Sequence, residues 1–267
     1  MTTSDALILG LIQGVTEFLP VSSSAHLFLA HRLLGLQEPR LAFDLILHLG
    51  TLVAVLYFLR SEITQIVASM FRSRPSLWLP PSDWSRRDIM LIILSSLPTG
   101  IIGVMFHDMV ESGITFWGVG ARYLILSVAL LLTRVRFTRK DDPNRIEWWE
   151  ALLIGVVQGF AVFPGLSRSG STIIFMLIIG IAPLRAVKYS FLISIPAILG
   201  GTLMAMRHGI SEISDPMLFV AGFLVAMVSG YIALWLVEHF VSRGRFYYFA
   251  PYTVFLSVLC FTMNFYF

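Results

Sequence analysis

The chain is poor in charge and nearly devoid of cysteine. Only 13% of its 267 residues are charged, whereas a soluble domain carries about 25%. Polar side chains are too few to cover a globular surface in water. Hydrophobic residues make up 57%, and the mean hydropathy is +0.81. These values exclude an ordinary soluble domain and point to an all-α, polytopic membrane protein. Residues 1–267 read as a single membrane domain. The one cysteine, Cys260, excludes an intrachain disulfide framework, and no CxxC or Cys/His cluster suggests a metal cage. No basic-aromatic face exists, which argues against nucleic acid as a partner. The N-terminus lacks a basic n-region, so no cleavable signal peptide is expected.

The apolar runs that are present come in two lengths. Residues 42–60, 88–107, 114–133, 184–207, 216–239 and 246–266 are long enough to span a bilayer, which takes about 20 residues. Residues 6–19, 25–36, 148–163 and 173–182 are too short. They flank two polar breaks, Pro20–Ser24 and Phe163–Thr172. The expected plan is therefore six full spans and two re-entrant helical hairpins. A hairpin of this kind survives at membrane depth only where protein buries it or it lines a wet cavity. An interfacial helix is expected at 62–73. Pro98-Thr99-Gly100 reads as a kink, and Arg122 is an intramembrane charge that needs a partner. Trp148-Trp149 and Phe246–Phe249 read as interfacial anchors.

The two hairpins are related to each other. A shift of 145 residues aligns them without a gap: Ala6, Leu7, Gly10, Gln13, Gly14, Phe18, Ser22 and Ser24 meet Ala151, Leu152, Gly155, Gln158, Gly159, Phe163, Ser167 and Ser169. An internal repeat follows, about 1–133 and 146–267, joined by a basic linker at 134–145. An odd number of spans separates the copies. They should enter from opposite faces as an inverted-topology repeat and meet near mid-bilayer. Gly10-xxx-Gly14 and Gly155-xxx-Gly159 read as close helix packing. With the N-terminus outside, the inside receives the Lys and Arg of 60–87, of 134–147 and Arg243 and Arg245, and the outside little beyond Arg40 and Arg207. The positive-inside rule then places both termini on the extracytoplasmic side.

The breaks carry the chemistry. Gln13 and Glu17 share a helix face at i, i+4. Pro20 ends that helix, and Ser22, Ser23 and Ser24 offer caps for the next one. His26 follows. The second break has Ser167, Arg168, Ser169 and Thr172, with Gly165 and Gly170 allowing backbone to approach closely. Glu17 faces Val162 in the repeat, Ser23 faces Arg168 and His26 faces Ser171. If the breaks meet, Glu, Ser, His and Arg share one pocket. A guanidinium fork suits phosphate, a carboxylate can hold a divalent cation or act as base, a serine can be a nucleophile, and an imidazole can move a proton. This is an inventory for phosphoryl transfer. Asp44 and His48, also at i, i+4, either stand behind the site or, for Asp44, cap the span.

At these residues the chain resembles a known family, the undecaprenyl-diphosphate phosphatases of bacterial membranes, linked to bacitracin resistance. The resemblance rests on Gln13-xxx-Glu17 running into Phe-Leu-Pro-Val-Ser-Ser-Ser-Ala-His26, and on Pro164-Gly-Leu-Ser-Arg-Ser-Gly170. It covers essentially the whole chain. It implies hydrolysis of undecaprenyl diphosphate to undecaprenyl phosphate and inorganic phosphate, which recycles the lipid carrier of peptidoglycan synthesis. Glu17, Ser23, His26 and Arg168 fall on the family's catalytic positions, with Gln13, Ser22, Ser167, Ser169 and Thr172 around the substrate. A Mg2+ or Ca2+ requirement goes with it, with Glu17 as metal ligand. Position 13 is Gln where many members have Glu, which weakens metal binding by both positions. The implied location is the bacterial plasma membrane, with a site open to the extracytoplasmic side. The implied partners are the polyprenyl diphosphate lipid and membrane lipids, and bacitracin indirectly, through competition for substrate. Ser23 or water as nucleophile, and a monomer or homodimer, remain open alternatives. The rival reading is a polyprenyl-phosphate flippase or transporter, because inverted repeats with broken helices are also a transporter plan.

Overall fold

A computed structural model describes residues 1–36, 41–71, 84–112, 114–135, 141–207 and 216–266. The expectations at Arg40, at the end of the 62–73 helix and over parts of the basic segments 60–87 and 134–147 fall outside these residues. Among the described residues, all regular structure is helical: α1 Thr3–Phe18, α2 Ser23–Leu33, α3 Leu41–Phe58, α4 Arg60–Phe71, α5 Arg86–Met105, α6 His107–Ser112, α7 Phe116–Leu132, α8 Trp148–Phe160, α9 Arg168–Ile178, α10 Pro183–Arg207, α11 Pro216–Ser242 and α12 Ala250–Met263. A 3-10 turn, Phe246–Phe249, leads into α12.

Four of these elements are long and apolar enough to cross a membrane: α5, α10, α11 and the run Phe246–Met263. The pair α3 and α4 counts as a fifth, with a bend of 69° between them. That bend turns α4 aside where an interfacial helix was expected. The sixth expected span, α7, is an apolar helix of 17 residues. The chain is thus a polytopic all-α membrane protein. Its outer surface agrees, because large apolar side chains such as Ile93, Leu97, Ile125, Val128, Ile232 and Phe255 are exposed along the helices. In water such a belt would aggregate; in lipid it is the natural outer face.

The short helices α1–α2 and α8–α9 form the two hairpins. Local sequence sets their starts. Thr2 caps α1, with its hydroxyl accepting from Asp5 N at 3.2 Å while Asp5 Oδ2 accepts from Thr2 N at 2.7 Å. Glu147 begins α8 in a similar exchange with Glu150. Each hairpin then packs on a helix from the other half of the chain, α1 on α11 and α8 on α5. The glycines permit this. A Cβ on Gly14 would lie 2.0 Å from Ser229 Oγ and 2.5 Å from Ala226 O. A Cβ on Gly155 would lie 2.1 Å from Ser95 O. Thr99 Oγ1 uses the close approach to donate to Gly155 O at 2.9 Å. Gly155→Ala should therefore force α5 and α8 apart. A fall of several degrees in melting temperature, read in detergent, is the expected result.

α5 continues through Pro98 as one helix. Arg122 finds its partner inside the fold: Nε donates to Pro164 O at 2.6 Å, and the guanidinium lies 5.8 Å from the Phe163 ring centroid. It holds the second polar break in place. At the other ends of the helices, Arg185 pairs with Asp88 and Lys188 with Glu62.

Candidate active site

The two breaks touch. Leu19 to Ser22 separate α1 from α2, and Ala161 to Ser167 separate α8 from α9. Ser22 Oγ accepts from Gly165 N at 2.9 Å. Ser167 Oγ donates to Leu19 O at 3.1 Å, and Ser169 Oγ to the same oxygen at 3.3 Å. Two backbones are stitched together here by hydroxyls, as irregular backbone at membrane depth requires. Gly165 sits at φ +104°, a region that L side chains rarely adopt.

Ser22 is the only described residue other than glycine with positive φ, at +63°. Such strain persists only where the surroundings over-determine it. Here they do: the Ser22 hydroxyl is held by Gly165, and its carbonyl accepts from His26 N at 3.2 Å and faces His26 Nδ1 at 2.9 Å. One consequence is that Ser22 gives α2 no side-chain cap, whereas Ser167 caps α9 by accepting from Gly170 N at 3.1 Å. The N-terminus of α2 therefore keeps its positive end for a ligand.

Glu17 lies at the centre. It is buried, and its carboxylate receives donors from both breaks. Oε2 accepts from Ser23 Oγ at 2.6 Å and from Gln13 Nε2 at 2.9 Å. Oε1 accepts from Arg168 of the opposite hairpin. His48 Nε2 stands 3.8 Å from Oε2. Its Nδ1 lies 2.8 Å from Asp44 O, the carbonyl one turn back, so the ring is aimed by its own helix. Both oxygens of the Asp44 carboxylate lie 3.1 Å from His31 Nε2.

A cavity of about 450 Å³ opens beside this cluster. Glu17, Ser22, Ser23, His48, Ser167 and Arg168 form its polar end, and α5, α10, the end of α8 and the second break supply most of the remaining wall. Glu17, Ser23 and Arg168 are thus brought together as expected. Gln13 supports Glu17 from behind. Ser169 and Thr172 are buried in hairpin packing: the Thr172 hydroxyl lies 2.6 Å from Ser190 Oγ and donates to Arg168 O at 2.9 Å. That bond steadies the start of α9 and so the guanidinium.

His26 is placed elsewhere. It is not part of the cavity wall. Its Nε2 lies 2.8 Å from Tyr252 OH, and its Nδ1 lies 3.1 Å from Tyr123 OH. Tyr123 OH also donates to Val21 O at 3.0 Å. The ring thereby clamps the Val21–Ser22 turn. His48 is the residue that sequence reading underweighted. Its spacing from Asp44 was visible, but nothing in the sequence places α3 against Glu17.

A divalent cation, as a hard ion, would take oxygen donors here. Those on the cavity wall are the Glu17 carboxylate and the Ser23 hydroxyl; Gln13 Oε1, a buried atom with no hydrogen-bond partner among the described residues, lies behind Glu17 and off that wall. Among the described residues no three His, Cys, Asp or Glu side chains gather. The set fits an ion that shares a substrate's phosphate oxygens rather than one held in a protein cage.

The family described as "Bacitracin resistance protein BacA" matches residues 6–259. The chain belongs to this family. It is 38% identical over 263 residues to the undecaprenyl-diphosphatase of Alkaliphilus metalliredigens, with 95% of each chain covered. It is 39% identical over 268 residues to that of Desulfosudis oleivorans, covering 96% of this chain and 97% of the relative. A third relative of the same description, from Methanobrevibacter smithii, is 39% identical over 91% of each chain. In this BacA-family chain, the match spans both hairpins and the helices that pack on them.

Proposed function

We infer that the protein is an undecaprenyl-diphosphate phosphatase, hydrolysing undecaprenyl diphosphate to undecaprenyl phosphate and inorganic phosphate. One observation carries the reading: a buried carboxylate joins a serine of its own hairpin to an arginine of the other, at the polar end of a cavity with largely apolar walls. A lipid with a diphosphate head has the same two-part character, and the curated relatives bear that activity in their names. Product undecaprenyl phosphate returns to peptidoglycan synthesis. Removing the diphosphate also withdraws the lipid for which bacitracin competes.

The geometry supports the following catalytic roles. Arg168 turns its fork from Glu17 to the phosphate oxygens as the substrate enters, and the N-terminus of α2 adds backbone N–H groups. Glu17, already the acceptor of the Ser23 proton, takes it as Ser23 Oγ attacks the terminal phosphorus in line. The bridging P–O bond breaks, and undecaprenyl phosphate leaves as an anion that needs charge neutralisation more than protonation. Water then attacks the phosphoserine, Glu17 returns the proton to Ser23 Oγ, and phosphate departs. His48, 3.8 Å from Glu17, lends positive charge when protonated. Mg2+ or Ca2+ would be held by Glu17 and Ser23 with the substrate's phosphate oxygens, and would supply further neutralisation of the diphosphate. Chelator should lower phosphate release by more than tenfold, and either ion should restore it; full activity in chelator would remove the cation from this account.

His26 acts in this scheme by fixing the Val21–Ser22 turn, which keeps Ser23 on Glu17. Phosphate-release assays on two variants check this. His26→Ala should lose about 10²-fold, the scale on which misplacing a catalytic group acts. Tyr252→Phe, which removes one hydroxyl from the ring, should lose less than tenfold. Equal and complete losses would instead indicate a proton relay through Tyr252.

The exchanged packing of α1 on α11 and α8 on α5 supports an inverted repeat of about 1–133 and 146–267. The basic loops support a cytoplasmic 60–87 and 134–147, and hence a site reached from the extracytoplasmic face of the plasma membrane. The deciding experiment uses purified protein in detergent with undecaprenyl diphosphate. Stoichiometric phosphate and undecaprenyl phosphate are expected. A protein that only moves lipid would release neither.

A further inference from the structure

The cavity is small for its substrate. About 450 Å³ is the size of a pocket for a drug-sized ligand. An eleven-isoprene tail is far larger, and it stays attached to the head group that must reach Glu17 and Arg168. Most of the tail therefore lies in the bilayer during reaction, and the cavity wall must part sideways between two helices.

Four glycines stand in the wall formed by α5 and α10: Gly100 and Gly103 on the first, Gly200 and Gly201 on the second. A Cβ added at any of them would meet nothing within 4 Å. They differ in this from Gly10, Gly14, Gly155 and Gly159, where an added Cβ would lie 2.0–2.8 Å from its nearest neighbour. None of the four has positive φ. Close packing and turn geometry are thus both absent as reasons for glycine. Glycine in a helix interior is disfavoured relative to alanine, so four such positions beside one cavity call for another cause. What they hold open is space. Leu97, Ile101 and Val104 on α5, with Leu199 and Leu203 on α10, expose apolar side chains next to that space, toward the lipid.

We propose that Gly100, Gly103, Gly200 and Gly201 form a slot between α5 and α10 through which the substrate's polyprenyl tail passes from the phosphate site into the bilayer. The slot rests on the phosphatase reading and adds to it a determinant of chain length. A side chain projecting there obstructs a tail that must exit. It obstructs less a short tail that the cavity can enclose.

The test compares kcat/KM for undecaprenyl diphosphate and for farnesyl diphosphate, which has three isoprene units. Gly200→Leu and Gly103→Leu are suitable variants, because leucine is the better helix former and its Cβ meets no neighbour within 4 Å. Melting temperatures within a few degrees of wild type are expected. The ratio of kcat/KM, long chain over short, should fall at least tenfold in each variant. An unchanged ratio, whether both activities hold or both fall together, overturns the slot and leaves the phosphatase reading standing. A wild-type protein that releases phosphate from neither lipid overturns that reading and the slot with it.

Discussion

Arg168→Ala should reduce kcat/KM for phosphate release by at least 10³-fold. The guanidinium is the one cation from the second hairpin at the polar end of the cavity, and it reaches Glu17 directly. Arginines that neutralise a transferring phosphoryl group are worth about 10³–10⁵ in rate. A second effect adds to this. Removing Arg168 leaves the Glu17 carboxylate buried and without its partner, a change that costs about 3–5 kcal/mol in other buried pairs. Arg168→Lys keeps the charge but loses the fork, and it should recover only part of the rate. The measurement is phosphate release in detergent, with the melting temperature taken alongside to separate lost chemistry from lost fold. Activity within tenfold of wild type in folded Arg168→Ala would remove Arg168 from the site.

Ser23→Ala should abolish phosphate release, while Ser24→Ala should leave most of it. The serines are neighbours in sequence but not in role. Ser23 Oγ donates to Glu17 at 2.6 Å, whereas Ser24 Oγ meets only Ser22 Oγ, at 3.4 Å, among the described side chains. A nucleophile lost with its base in place costs many orders of magnitude. A serine that merely helps shape the end of a helix costs far less. Incubating wild type with substrate and quenching rapidly should trap a phosphoserine at residue 23. Equal, mild losses from both substitutions would sink the covalent route and leave water as the attacking group, positioned by Ser23.

Much of this site could be read from the sequence because the chain lacks polarity elsewhere. A glutamate, an arginine and a run of serines at helix breaks stand out against apolar spans, and the spacing of Gln13 and Glu17 already put them on one face. The repeat relating Ser22 to Ser167 predicted that the breaks would meet. It did not predict that the equivalent serines would diverge in use, one capping α9 and the other turned toward Gly165 by its positive φ. That same twist sets the direction in which α2 presents its side chains. It faces Ser23 toward Glu17 and His26 toward Tyr123 and Tyr252. No periodicity rule carries a helix rotation across such a break. His48 was visible as a polar residue in an apolar span, but its neighbour Glu17 comes from another helix, and only tertiary packing supplies that contact. The slot glycines were hidden for a simpler reason. In sequence, Gly100 reads as part of a kink, and nothing about Gly103, Gly200 or Gly201 says whether a neighbour packs on them. The answer lies in what surrounds the missing Cβ.

In the proposed mechanism, the two hairpins make one catalytic unit through Glu17 and Arg168. A double-mutant cycle tests it most directly, using Glu17→Gln, Arg168→Lys and the pair together, with kcat/KM for undecaprenyl diphosphate as the readout. Groups that act as a unit are grossly non-additive. The expected result is a double variant no slower than the slower single one. Losses that multiply, as for two independent sites, would contradict the claim.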